Sequence, residues 1–117
     1  MSVSIEGIYR ANTDIIWGDI ILLDNFTLSS WTTSFQDIGS GEKLRLDTYD
    51  LGTTDYPQYT YMDVNVELLK DSVSIETIVA SGTNYVSLTE IVRFDKLFSD
   101  FDLNSIYQFR ISLNSIY

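Results

Sequence analysis

Several residue types are absent or rare in this chain of 117 residues. It contains neither cysteine nor histidine, so disulfides, thiolate nucleophiles, histidine-based catalytic triads, haem ligation and ordinary zinc sites are excluded. There is one proline, and the longest apolar run, Ile20 to Leu23, is far too short to span a bilayer. No signal peptide is visible at the start of the chain. We therefore expect no enzyme activity, cofactor, metal site or membrane insertion.

Basic residues are also scarce. Seven Lys and Arg stand against seventeen Asp and Glu, which gives a net charge of -10. The acidic residues are scattered along the chain, so the charge results mainly from missing cations. Nucleic acid and anionic membranes are disfavoured as partners because no basic stripe is present to neutralise phosphate groups.

Hydrophobic residues alternate with a period of two, which is typical of half-buried strands. The pattern is cleanest over residues 59–80, where a turn at Lys70-Asp71-Ser72 predicts a hairpin, and over Ile106 to Leu113. Ala80 to Asn84 is expected to interrupt the chain before a further strand from Tyr85 to Phe94, with a bulge near Glu90. In the first half, predicted strands cover the segments 15–23, 26–28, 31–38 and 44–51, and a polar loop follows at 52–57.

These seven or eight short strands predict an all-β fold. We expect a two-sheet antiparallel sandwich or jelly roll over residues 14–117. One departure from the alternation is the spacing of Phe94, Leu97, Phe98 and Phe101, which predicts a short helical turn. Residues 1–13 stand apart, and they form either a first strand of the sandwich or an extended arm that pairs with another subunit.

The sequence contains only weak matches to known catalytic or ligand-binding motifs. The segment from Asp37 to Leu44 lacks the residue order of a phosphate-binding loop and is expected to be a glycine-rich turn. Asp100, Asp102 and Asn104 begin like a calcium loop, but Ser105 and Ile111 occupy positions that need glycine and glutamate. Tyr107 is similar to the corner tyrosine of immunoglobulin-like sandwiches, whose hydroxyl returns to the backbone upstream. Tyr56, Tyr59 and Tyr61 form a candidate aromatic patch for a glycan or a host surface.

Five segments carry a family resemblance: residues 36–38, 44–48, 73–82, 92–95 and 107–111. Together they resemble the endospore appendage pilins of spore-forming bacilli. The resemblance implies a jelly-roll subunit that stacks into a helical fibre of its own copies by sheet augmentation. An N-terminal connector, residues 1–13, would dock into the preceding layer through Val3, Ile5, Ile8 and Tyr9. Known members lock the connector by disulfides, which this chain cannot form.

The function expected from this resemblance is therefore a structural, self-assembling subunit of an extracellular or spore-surface fibre. Two alternatives stay open on the sequence. One is a decoration or tail module of a virion, which shares the small size and the acidic balance. The other is a soluble domain that binds a glycan or a host protein.

Overall fold

A computed structural model describes residues 15–23, 26–39, 42–57, 59–84 and 91–116. Within these ranges the chain forms eight strands and one 3-10 helix, Phe98–Asp100. The strands are β1 Ile16–Trp17, β2 Ile21–Leu22, β3 Leu28–Ile38, β4 Lys43–Thr53, β5 Thr60–Lys70, β6 Val73–Asn84, β7 Val92–Leu97 and β8 Ile106–Ile116. The predicted connector and its residues Val3, Ile5, Ile8 and Tyr9 lie outside the described residues.

The strands form two sheets that pack face to face, which confirms the all-β sandwich. The first sheet has the order β1, β8, β5, β6, with β2 also paired to β8, and the second has the order β3, β4, β7. Alternate residues of β5, β8 and the strands of the second sheet point into the space between the sheets and are almost fully buried. They include Val64, Val66 and Leu68 on β5, Phe109 and Ile111 on β8, and Phe35, Leu44, Leu46 and Phe94 in the second sheet.

Two flanks close the sandwich. At one flank Trp17 of β1 packs on Phe35 of β3, with ring centroids 5.0 Å apart, and stacks on Phe109 at 5.6 Å. At the opposite flank an ion pair joins Lys96 of β7 to Glu76 of β6. Each flank therefore presents one edge strand of each sheet.

The β5–β6 hairpin forms where the sequence predicts it. Lys70 pairs with Val73 across a two-residue turn, and Asp71 and Ser72 have φ angles of 50° and 70°. Positive φ at both central residues is the type I′ geometry that matches the twist of a hairpin. At the predicted glycine-rich turn, Ile38 pairs with Lys43, Gly39 has a φ angle of 68°, and the Glu42 N–H donates to the Gly39 carbonyl at 3.2 Å. Ser40 and Gly41 lie outside the described residues.

The N-terminal half departs from the predicted strand pattern. The apolar run 15–23 forms two short pairings, β1 and β2, which run parallel to β8, whereas every other described pairing is antiparallel. Gly18 lies at the break, where its backbone N–H donates to the Tyr107 carbonyl at 2.8 Å. A Cβ at Gly18 would lie 2.9 Å from Cγ of Gln108, so a larger residue here would have to displace that side chain.

Other element boundaries are also corrected. The predicted segments 26–28 and 31–38 are not separate strands. One strand, β3, begins at Leu28 and continues to Ile38, with two register shifts between Leu28 and Thr32, and Phe26 and Thr27 precede it. The predicted interruption at Ala80 to Asn84 is wrong, since pairing with β5 continues to Asn84. The predicted polar loop begins two residues later than expected, because β4 continues to Thr53.

The predicted helical turn is smaller than its spacing suggests. Phe94 and Leu97 lie in β7, and the extended backbone of Leu97 ends the strand before the 3-10 helix. Tyr107 does show the corner arrangement, because its hydroxyl accepts the backbone N–H of Asp102 at 2.8 Å. Its ring also makes an edge contact with Phe101 at 5.0 Å. This corner anchors the start of β8 to the chain that precedes it.

Candidate assembly edges and polar sheet face

The edge strands differ strongly in length and composition. β3 and β6 have 11 and 12 residues, and neither contains lysine, arginine or proline. β7 has six residues and carries Arg93 and Lys96, whereas β1 and β2 have two residues each. Short strands and basic residues are common devices that prevent edge-to-edge pairing. Each flank therefore combines one protected or short edge with one long edge that lacks such protection.

β6 is the more regular of the two long edges. In the part of the chain that the structure describes, its one paired neighbour is β5. A register shift at Leu68–Leu69 places a bulge near the start of β6, after which pairing is regular from Glu76 to Asn84. Val73, Ile75 and Val79 of this strand are 65%, 46% and 39% exposed. β6 thus presents both backbone hydrogen-bonding groups and apolar side chains at the rim of the sandwich.

The flank formed by β1 and β3 has a different feature. Among the residues that the structure describes, four buried side-chain polar atoms have no hydrogen-bond partner, and they belong to β1 and β3: Trp17 Nε1, Ser30 Oγ, Trp31 Nε1 and Thr33 Oγ1. A buried polar group without a partner costs about 1–3 kcal/mol. These four side chains therefore lower the stability of this flank.

Three arginines form paired hydrogen bonds with carboxylates on neighbouring strands. Arg45 binds Asp95, Arg93 binds Asp47, and Arg110 binds Glu67, each through two nitrogen–oxygen contacts of 2.7–3.1 Å. These hydrogen bonds are the main reason why the pKa values of Asp95 and Glu67 lie below their ordinary range. The cations in these pairs are compensated, which leaves little positive charge to attract an anionic ligand.

Two further carboxylates connect distant parts of the chain. The Thr27 backbone N–H donates to Oδ2 of Asp55 at 2.6 Å, and this bond chiefly lowers the Asp55 pKa. The Asp71 side chain accepts the Ile106 backbone N–H at 2.9 Å. Hydrogen bonds from the Ser105 side chain and then from this N–H lower the Asp71 pKa. Both carboxylates therefore bind the backbone best when they are ionised.

The predicted tyrosine patch lies at the start of β5. Tyr59 and Tyr61 are 63% and 61% exposed, whereas Tyr56 is half-buried against the core. Tyr59 has a φ angle of 69°, a left-handed conformation that is uncommon for a non-glycine residue. Two exposed rings thus stand close together in the sequence, and the third is largely a packing residue.

The exposed rings border a network of polar side chains that the sequence analysis did not identify. The network lies on the outer face of the first sheet. It consists of Asp63 and Asn65 on β5, Ser81 on β6, and Ser112, Asn114 and Ser115 on β8. The alternation of β5 places Asp63 and Asn65 on the same face as Tyr61. The missing information was the strand order, since β5, β6 and β8 become neighbours only in the folded sheet.

No catalytic or metal-binding arrangement is found among these side chains. A pocket lined by Leu68, Ile75, Lys96, Asp100, Phe101 and Tyr107 has a volume of about 70 Å³, well below the ~300–1,000 Å³ of typical ligand sites. The calcium-like segment forms a turn, in which Asp102 Oδ1 accepts the Asn104 backbone N–H at 2.9 Å. Among the residues described above, no group of three acidic side chains could hold a metal ion. Nor do those residues include a helix with the length and hydropathy of a membrane span.

Comparison with protein families, with curated proteins and with solved structures finds no match for this chain. The resemblance to endospore appendage pilins therefore stays a prediction that depends on the segments quoted above. The function proposed below is based on the edge strands of the sandwich.

Proposed function

We propose that this protein is a structural, self-assembling subunit of an extracellular or spore-surface fibre. Copies would join by sheet augmentation and by docking of the N-terminal connector, without disulfides. The observation that carries this proposal is the pair of long edges, β3 and β6, which contain no lysine, arginine or proline. An exposed edge of this kind is a template for pairing with another chain.

The positions of the two edges favour an open polymer. β6 lies at the flank with β7, and β3 lies at the opposite flank with β1. Pairing of β6 in one copy with β3 in the next uses two different surfaces. Such a head-to-tail contact generates a filament unless its rotation closes a ring.

The energy of strand pairing is comparable with the cost of association. Eleven paired residues would form about ten main-chain hydrogen bonds, and each contributes about 0.5–1.5 kcal/mol net. Association costs about 4–15 kcal/mol. The hydrogen bonds alone would therefore give a net free energy of association close to zero. Burial of Val73, Ile75 and Val79 would supply the additional stabilisation.

The connector offers a second contact. Its apolar residues Val3, Ile5, Ile8 and Tyr9 are the proposed docking side chains. β1 is a two-residue edge strand of the first sheet at the flank that it forms with β3, and an incoming backbone could pair with it there. We propose that the connector of a neighbouring copy docks at this flank.

Charge opposes this assembly. Each copy carries a net charge of -10, and the repulsion between copies is screened over about 8 Å at physiological salt. Added salt or divalent cations should therefore favour fibres. The first measurement is size-exclusion chromatography and negative-stain imaging of the full chain across a salt series, and we expect filaments at the upper end.

Variants of β6 test whether assembly depends on a long edge strand that contains no lysine, arginine or proline. The double variant Thr77→Lys, Val79→Lys places two lysines on β6, and Ser99→Lys, Asn104→Lys makes the same charge change away from the long edges. We expect the β6 variant to stay monomeric at salt concentrations where the control forms filaments. Urea unfolding of both variants checks that each is folded.

Two results would contradict the proposal. One is a wild-type chain that stays monomeric, or forms a closed oligomer, at every salt concentration; this result would favour a virion module or a soluble binding domain. The other is a β6 variant that polymerises as readily as the control. Deletion of residues 1–13 tests the connector separately, and we expect a folded chain that no longer assembles.

A further inference from the structure

One edge of the first sheet is formed by residues 15–23, which we call the edge segment. It contains β1 and β2, which have two residues each. In the part of the chain that the structure describes, β8 is the strand that both of them pair with, and both pairings are parallel. Parallel pairs are slightly less stable per residue than antiparallel ones. The backbone of the edge segment is therefore held to the sandwich by short pairings along one strand.

Trp17 anchors the edge segment through its ring. The ring centroid lies 5.0 Å from that of Phe35 on β3 and 5.6 Å from that of Phe109 on β8. Tyr107 contacts the same ring at 6.0 Å. The buried Nε1 has no hydrogen-bond partner among the described residues, so packing is the interaction that holds this side chain. A tryptophan presented by the same segment of another copy would pack in the same groove.

The groove also fits the residue that follows the tryptophan. The Gly18 backbone N–H donates to the Tyr107 carbonyl at 2.8 Å, and a Cβ at Gly18 would lie 2.9 Å from Cγ of Gln108. The Gln108 side chain in turn donates from Nε2 to the Asp19 carbonyl at 3.1 Å. A segment with glycine at this position therefore enters without displacing Gln108. A second copy of this chain carries that sequence and meets this requirement.

The connection from the edge segment to β3 is short. Two residues, 24 and 25, separate the segment from Phe26, whose backbone N–H donates to the Leu23 carbonyl at 2.9 Å. The chain passes here from the first sheet to the second. Short connections favour the exchange of an element between copies, because the closed form must turn sharply where the exchanged form can extend.

We propose that the edge segment of one copy can leave its own sandwich and take the place of the same segment in a second copy. The contacts of Trp17 and Gly18 with β8 are the same in both forms, so the two forms differ chiefly in the connection to β3. The inference goes beyond the proposed fibre, since it concerns the flank of β1 and does not require pairing of the long edges. The covalent connection gives the segment a high effective concentration at its own groove. Exchange should therefore increase with protein concentration.

Engineered cysteines can detect the exchange, because the chain has no cysteine of its own. Ile16 pairs with Ile106, and the two residues are 46% and 47% exposed. Residues paired on neighbouring strands lie about 4.8 Å apart, within the ~4.4–6.8 Å between Cα atoms that disulfides span. In a mixture of one chain with Ile16→Cys and an isotope-labelled chain with Ile106→Cys, a disulfide between these positions can form only between copies.

The mixture is incubated with oxidised glutathione at several protein concentrations and analysed by intact mass and peptide mapping. We expect heterodimers that are linked through positions 16 and 106, in a fraction that rises with concentration. In the control mixture, Tyr61→Cys replaces Ile16→Cys. Tyr61 is 61% exposed on β5, so this control measures linkage by random collision. The fraction of linked heterodimers should be at least about tenfold lower in the control.

The double variant Ile16→Cys, Ile106→Cys separates exchange from pairing of the long edges. Oxidation at low protein concentration closes a disulfide within each chain and keeps the edge segment on its own sandwich. We expect fewer filaments from the oxidised chain than from the same chain after reduction. Asn65→Cys, Ser112→Cys is the matched control, because these paired residues lie on two inner strands, and oxidation of this variant should not change assembly. Urea unfolding of the reduced variants checks that each is folded.

Two results would overturn the exchange. One is a fraction of heterodimers linked through positions 16 and 106 that is no higher than in the control mixture. The other is equal filament formation by the oxidised and reduced forms of Ile16→Cys, Ile106→Cys, which would leave the fibre proposal in place. Linked heterodimers from a chain that forms no filaments at any salt concentration would support exchange and contradict the fibre.

Discussion

At the scale of single residues, Ser72 shows how the chain accepts local strain for a tight turn. Its φ angle of 70° follows an Asp71 φ of 50°, and a side chain in this region costs about 1–2 kcal/mol. Glycine has no such penalty. Asp71 is less replaceable, because its carboxylate accepts the Ile106 N–H and its own N–H donates to the Ile106 carbonyl.

Ser72→Gly should therefore stabilise the protein. We expect the free energy of unfolding to rise by about 1 kcal/mol, because the strain is relieved. The measurement is urea denaturation followed by circular dichroism. Thr83→Gly, a glycine substitution in the regular part of β6, should lower stability, since glycine is unfavourable within a strand. If both variants shifted the midpoint in the same direction, the strain argument would be wrong.

At the scale of elements, β1 and β2 depend on one close approach to β8. The Gln108 side chain lies against Gly18 and donates from Nε2 to the Asp19 carbonyl at 3.1 Å. This contact holds the break between the two short parallel pairings. A larger residue at position 18 would have to displace Gln108 or the backbone.

We expect Gly18→Ala to lower the free energy of unfolding by about 1–3 kcal/mol, as overpacking of a close contact does. The double variant Gly18→Ala, Gln108→Ala should be more stable than the sum of the two single effects predicts. Urea unfolding of the four proteins in this cycle measures the coupling. If the changes in the free energy of unfolding of the two single variants simply add, Gln108 is not the side chain that limits the size of the residue at position 18.

The individual strands differ in how well the sequence predicts them and their pairing partners. β5 and β8 were predictable because each has one buried face and one polar face, which fixes a period of two. The alternation of β6 also predicted a strand, but its apolar residues Val73, Ile75 and Val79 are exposed. The parallel pairing of β1 and β2 was not predictable, since an apolar run does not specify its partner. The polar network on the outer face of the first sheet was not predictable for the same reason: Asp63 and Ser115 are 52 residues apart and are brought together by the strand order.

At the scale of the whole molecule, lowered carboxyl pKa values link stability to pH. The pKa values of Asp55, Glu67, Asp71 and Asp95 all lie below their ordinary range. The ionised forms are favoured in the folded state, so this stabilisation is complete above the ordinary pKa of about 4. It is lost as the pH falls through the lowered values.

The urea midpoint should accordingly be constant near neutral pH and decrease steadily below pH ~4. Repulsion between copies follows the opposite trend, because the net charge approaches zero near the pI of about 4.1. Light scattering at low salt should therefore show association increasing as the pH falls from neutrality towards that value. A midpoint that rose on acidification would contradict the direction of these shifts.

The two long edges also give the sandwich a direction. β3 ends one flank and β6 ends the other, so a stack built through them would have two chemically distinct tips. A copy with a blocked β6 and an intact β3 could join at one tip and would then stop further growth there. Small amounts of such a copy would act as a terminator, shortening the stacks while leaving the opposite tip active.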